Sequence, residues 1–203
     1  MQISNTAEQA QQSGLHIIQQ LLPYNERLPL RSLNGLDLVV VHCTELPSLE
    51  ISREYGEQVI YPETRTGNCG HFYIDLDGAV YQWIEVERVA HHVRGMNERS
   101  IGIEIVNAGR YPDWYRSDQQ LMADPYTAPQ IVTMKKLLQR LERIIPGLSW
   151  IAGHDELDKE LVPAEDNPEI LIRRKVDPGP LFPWKEVMAD SDLTRWPENS
   201  VYG

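Results

Sequence analysis

The chain has 203 residues, of which 41% are hydrophobic and 24% charged, so it can build a packed core and does not read as a disordered segment. Nineteen lysines and arginines face 30 aspartates and glutamates, and the net charge of −11 argues against nucleic acid or an anionic membrane as a partner. No run approaches the roughly 18 apolar residues of a membrane span, and two cysteines, Cys43 and Cys69, exclude both a disulfide scaffold and a four-cysteine zinc module. The first 25 residues lack a basic n-region and an apolar h-region. As written, the chain is therefore expected in the cytoplasm, or in the periplasm or outside the cell if its N-terminus was trimmed.

In chain order, apolar Ile17, Ile18, Leu21 and Leu22 among glutamines predict a short helix within 7–22, ending before Pro23. The β-branched run 38–41 predicts a buried strand that ends at His42. Residues 44–68, rich in Pro, Glu, Gly and Asn, predict a loop with one helical turn. Strands at 71–74 and 79–84 flank the turn Asp75-Leu76-Asp77-Gly78 and form a hairpin. In 100–106, Ile101, Ile103 and Ile105 alternate with Gly102, Glu104 and Val106, the period of a strand.

A loop at 107–127 precedes the clearest helix. Thr127-Ala128-Pro129-Gln130 has capping-box spacing with proline in the first turn, Ile131, Met134, Leu138, Leu141 and Ile145 trace one face, and Pro146-Gly147 stops it. A short strand at 150–152 then delivers Gly153-His154, an acidic insertion fills 155–174, and a last helix is expected near 183–190. Strands alternating with helices, plus one hairpin, predict a single α/β domain over 1–203 with a mixed central sheet flanked by helices.

Among six histidines, His42 and His154 stand where strands end, the rim at which α/β sheets assemble sites. Asp177, in the stiff turn Lys175-Val176-Asp177-Pro178-Gly179-Pro180, offers an oxygen. Two imidazoles and a carboxylate leave a fourth zinc position open, which catalytic zinc requires. Spacing alone does not select this set over histidines that merely satisfy hydrogen bonds, because the two lie more than a hundred residues apart. Asp177 also reads as an ordinary turn residue, and Glu104 as a solvent-facing strand position. Strand alternation aims Cys43 away from His42's side. His71, at a strand start, reads as a hydrogen-bonded core histidine and His91 as structural. Trp114 and Tyr115 read either as a cleft wall or as aromatics packed on their own domain.

The strings VVVHCTE, HFYIDLDGAVYQW, AHHVRGMNERSIGIEIVNAG, IAGHDELD and RKVDPGPLFPW, in that order, resemble successive motifs of the zinc-dependent N-acetylmuramoyl-L-alanine amidases, which include bacterial muropeptide and cell-wall amidases, phage amidases and peptidoglycan recognition proteins. The resemblance covers about 36–186. It implies an amidase/peptidoglycan-recognition-protein-like fold and one zinc ion per chain held by His42, His154 and Asp177. It further implies Glu104 and Lys175 as catalytic residues, with His92, Arg94 and Asn97 in the substrate cleft. In phage-type members a tyrosine precedes the His-Phe pair; here that position is Gly70, consistent with reliance on Glu104 instead.

The implied reaction is hydrolysis of the amide between N-acetylmuramic acid, or its anhydro form, and L-alanine, with peptidoglycan or muropeptide as substrate. A non-catalytic peptidoglycan-binding module is the alternative. The stretch between His154 and Asp177 is longer than the family's usual loop, and its Asp155, Glu156, Asp158, Glu165, Asp166 and Glu169 compete as candidate ligands.

Overall fold

The computed structural model describes residues 14–197. In chain order the elements are β1 (Ile17–Gln19), β2 (Leu38–Cys43), α1 (Leu49–Gly56), β3 (Phe72–Ile74), β4 (Val80–Gln82), β5 (Ser100–Ile105) and α2 (Ala128–Ile144). They continue with β6 (Trp150–Gly153), α3 (His154–Leu157), β7 (Leu161–Pro163), β8 (Leu171–Arg173), α4 (Trp184–Val187) and β9 (Thr194–Arg195). Seven strands form one sheet in the order β1-β4-β3-β5-β2-β6-β9, and β7 pairs with β8 separately. Within the large sheet every pairing is parallel except β3 with β4, the expected hairpin.

Parallel strands are covered on both faces and therefore read as continuous apolar runs. Leu38 to Val41 are each fully buried for this reason. On one face, Val39, Val41, Ile101, Ile103 and Ile105 pack against Ile131, Met134, Leu137, Leu138 and Leu141 of α2. On the other, Leu38 and Val40 meet Val93, Ala152 and Trp196. The start of α2 is fixed by its capping box: Thr127 Oγ1 accepts from the Gln130 amide, and Gln130 Oε1 accepts from the Thr127 amide. Gln130 Nε2 also donates to the Val106 carbonyl at 2.7 Å, fastening the helix to the end of β5.

Two expectations need correction and two are refined. The helix placed within 7–22 is absent where it can be judged: 7–13 lie outside the described residues, and Ile17–Gln19 is an edge strand in register with Val80–Gln82. Its two β-branched residues favour that pairing over a helix. Residues 44–68 hold the two-turn α1, whose start Ser48 caps by accepting from the Ile51 amide. The insertion 155–174 contains α3 and the β7–β8 ribbon. The last helix covers only Trp184–Val187 before tightening into a 3₁₀ turn at Met188–Asp190, and the edge strand β9 follows it unforeseen.

Candidate metal centre

Period-two alternation in β2 puts His42 on the side of Val40, away from Val41 and Cys43. Register does the rest: His42 pairs with Glu104 on β5, and Val41 pairs with Gly153 on β6, so His154, the next residue, opens α3 beside His42. The turn bearing Asp177 is tied to both neighbours. Its main-chain carbonyl accepts from the Asp155 amide at 3.0 Å, and the Tyr126 hydroxyl donates to the Pro178 carbonyl at 2.6 Å. Gly153 is needed for this approach, because a Cβ there would stand 2.9 Å from Cδ of Pro178.

The three side chains meet at one point. His42 Nδ1, His154 Nδ1 and Asp177 Oδ2 form a triangle with all three sides 3.1 Å, and all three residues are buried. Ligand bonds of about 2.0–2.1 Å around a tetrahedral zinc space neighbouring donors roughly 3.3 Å apart, so the triangle needs to open only slightly to hold one. Asp177 Oδ1 has no hydrogen-bond partner although buried, an arrangement that costs free energy unless a cation compensates it. Burial lowers the pKa of His42 to about 4, keeping the imidazole neutral as a ligand must be. Burial alone would raise the Asp177 carboxyl, but the adjacent His154 imidazole with its hydrogen bond, and Lys175 nearby, hold it well below the usual range. Among the described residues, no other group of three His, Cys, Asp or Glu side chains converges in this way.

Glu104 and Lys175 flank the triangle. Glu104 is half-buried on the same face as His42, and Lys175 lies two residues before Asp177; both line the same cleft. Burial pushes the Glu104 carboxyl well above the usual carboxylate range, Asp177's charge adds to that, and Lys175 opposes it. A cation in the triangle would favour the ionised form that a general base needs. Gly70 makes room for this side chain: a Cβ at position 70 would come within 2.8 Å of Glu104 Cγ. A tyrosine there and Glu104 in its present pose exclude each other sterically.

All eight residues singled out from sequence, the three candidate ligands with Glu104, Lys175, His92, Arg94 and Asn97, border one cleft of about 400 Å³, a volume within the usual range of small-molecule sites. Their surroundings differ. Asn97 Oδ1 accepts from the His92 and Val93 amides at 3.0 and 2.8 Å and so orders its own loop. Arg94 is exposed and pairs with Glu160. The tyrosines lining the cleft are Tyr55, Tyr61 and the buried Tyr73; Trp114 and Tyr115 do not reach it, and Trp114 packs behind Tyr55 while donating to the Glu45 carbonyl. His71 is fully buried, its Nδ1 accepting from the Gly102 amide. Cys43 and Cys69 are buried free thiols.

None of the insertion's six competing carboxylates joins the triangle, and three of them are engaged elsewhere. Glu156 accepts from the Gly153 amide and pairs with Arg195, Asp158 pairs with Arg174, and Asp166 accepts from Ser117.

Besides the wall tyrosines, a residue that braces the site escaped sequence reasoning. Arg110, whose side chain is 1% exposed, clasps Glu45 through Nε at 2.6 Å and its second terminal nitrogen at 2.9 Å. The same guanidinium donates to the carbonyls of Arg173 and Arg174, immediately before Lys175. It thus joins the segment after His42 to the segment carrying Lys175 and Asp177. It also donates to Gln120 Oε1 at 2.9 Å, but nothing local marks the clasp, because Glu45, Arg173 and Arg174 lie more than sixty residues away. Arg110→Met should strand Glu45 as an uncompensated buried charge and cost about 3–5 kcal/mol in urea unfolding. Adding Glu45→Gln should restore much of that, whereas equal losses in single and double variants would contradict the pairing.

Comparisons with known proteins agree with this geometry. Residues 32–180 match the N-acetylmuramoyl-L-alanine amidase family. The chain is 30% identical over 127 residues to the amidase AmiD of Escherichia coli K12, covering 59% of this chain but only 40% of that relative's length. In fold it is similar to a selenomethionine derivative of AmpD, with a TM-score of 0.61 and 20% identity over 88% of this chain and 94% of that one. It is likewise similar to AmpDh3 of Pseudomonas aeruginosa, with a TM-score of 0.57 and 22% identity over 76% and 59% of the two chains. With the sheet, the triangle and the match over most of its length in hand, the chain belongs to the N-acetylmuramoyl-L-alanine amidase family.

Proposed function

We propose that this chain is a zinc-dependent amidase hydrolysing the bond between the lactyl group of N-acetylmuramic acid, or its anhydro form, and L-alanine. The observation that carries the reading is the buried 3.1 Å triangle of two imidazole nitrogens and one carboxylate oxygen opening beside Glu104 and Lys175. The substrate class is supported by AmpDh3, whose structure was solved in complex with an anhydromuramic pentapeptide.

When bound at His42, His154 and Asp177, zinc supplies Lewis-acid polarisation of the scissile carbonyl and activation of water. Glu104 takes the proton of the attacking water and hands it to the departing amine of L-alanine. The Lys175 ammonium places positive charge where the oxyanion grows, a role worth about 3–4 kcal/mol when a comparable donor is removed. Tyr55 and Tyr61 offer apolar wall to the sugar or stem peptide.

The test is digestion of purified sacculi and of soluble anhydro-muropeptides, read by mass spectrometry. Zinc-loaded protein should release free peptides beginning with L-alanine; chelated protein should release none until zinc is returned. Intact substrates, or cuts inside the peptide, would overturn the reading.

A further inference from the structure

The three ligand side chains are not supported alike. His154 Nε2 and Asp177 Oδ1 are buried without hydrogen-bond partners, whereas His42 Nε2 lies 3.0 Å from Nδ1 of His92. The chain of contacts continues: His92 Nε2 is 3.1 Å from Ser100 Oγ, and Ser100 Oγ is 2.7 Å from the Met96 carbonyl oxygen. Its direction is set at the far end. A carbonyl oxygen can only accept, so the single hydroxyl proton of Ser100 goes to Met96. Ser100 Oγ then accepts from His92, which puts the His92 proton on Nε2 and leaves Nδ1 as a bare lone pair. His42 must donate to that lone pair from Nε2, and its Nδ1, the atom in the ligand triangle, is left unprotonated.

We propose that His92 is a positioning residue for the metal centre, which locks His42 in the tautomer and ring orientation that present Nδ1 as a ligand, through the relay Met96–Ser100–His92–His42. This moves His92 from the substrate wall to the support behind a ligand, and it rests on the metal reading of the triangle. The surroundings are built for it. A Cβ on Gly102 would stand 2.7 Å from Cγ of His92, so glycine at that position of β5 lets the ring lie across the strand. Asn97 holds the main chain of His92 by accepting its amide. Outer-shell partners of metal-bound histidines fix tautomer and orientation, and losing one costs about 10–100-fold in metal affinity.

The experiment measures zinc affinity by competition with a chromophoric chelator, together with ¹⁵N shifts of the histidine ring nitrogens and the melting temperature of each metal-free protein. His92→Ala should bind zinc about 10–100-fold more weakly. His92→Asn, whose side-chain oxygen can stand where Nδ1 stood, should recover most of the loss. Gly102→Ala, which touches no ligand, should weaken zinc binding by displacing the ring. In the zinc form, His92 should carry its proton on Nε2 and His42 on Nε2. Affinity for His92→Ala within about twofold of wild type would overturn the proposal. So would equal losses in the Ala and Asn variants, or a His92 proton on Nδ1. Wild-type protein that binds no zinc would instead overturn the metal reading, and this proposal with it.

Discussion

Asp177→Asn should remove zinc and activity together. The substitution keeps the size of a buried side chain but replaces a charged oxygen donor, beside two imidazoles, with an amide that ligates zinc poorly. The loss of affinity should exceed the roughly 100-fold that removing an outer-shell partner costs. His154→Ala should behave in the same way. The sharper comparison lies within the insertion: Asn at Asp155, Asp158 or Asp166, or Gln at Glu165, should leave zinc content unchanged. Asp158 already holds Arg174 and Asp166 holds Ser117, so those variants lose pairing at the rim and not a donor in the triangle. Metal analysis of the purified variants decides it. Zinc retained in Asp177→Asn, but lost from an insertion variant, would reassign the third ligand.

Glu104→Gln should show the opposite pattern, with full zinc content and little turnover. Glutamine keeps the shape that Gly70 accommodates but can neither take the proton of water nor return one to the amine. Loss of general acid–base help predicts kcat lower by about 10²–10⁴. kcat/KM should fall in proportion, because the interaction is made in the transition state and not in the bound substrate. Steady-state kinetics on a soluble anhydro-muropeptide, with zinc measured on the same samples, checks both halves. A kcat within about threefold of wild type would return Glu104 to the role of an ordinary strand residue.

The legibility of the chain followed the range of the interactions that shape it. Local signals placed β2, the β3–β4 hairpin, β5 and α2, because each rests on alternation, a turn or a cap contained within a few residues. β1 and β9 were not legible, since three- and two-residue edge strands exist only through partners elsewhere in the sheet. His42 and His154 could be nominated as strand ends, but their meeting depends on β2 and β6 being neighbours, which no local pattern states. Family resemblance supplied that adjacency. The relay behind His42 and the clasp of Arg110 on Glu45 were invisible for the same reason: hydroxyl, imidazole and guanidinium groups find their partners only once the strands and loops are in place.

The most direct test of the whole account is to run the digestion of a soluble anhydro-muropeptide in ¹⁸O-labelled water and locate the label by mass spectrometry. Water attack on the muramyl carbonyl, with the proton passing through Glu104 to the leaving amine, predicts one ¹⁸O in the lactyl carboxylate of the sugar product and none in the released peptide. Label in a peptide carboxylate or at a sugar anomeric carbon would mean that a different bond is cut, and would contradict the account at its centre.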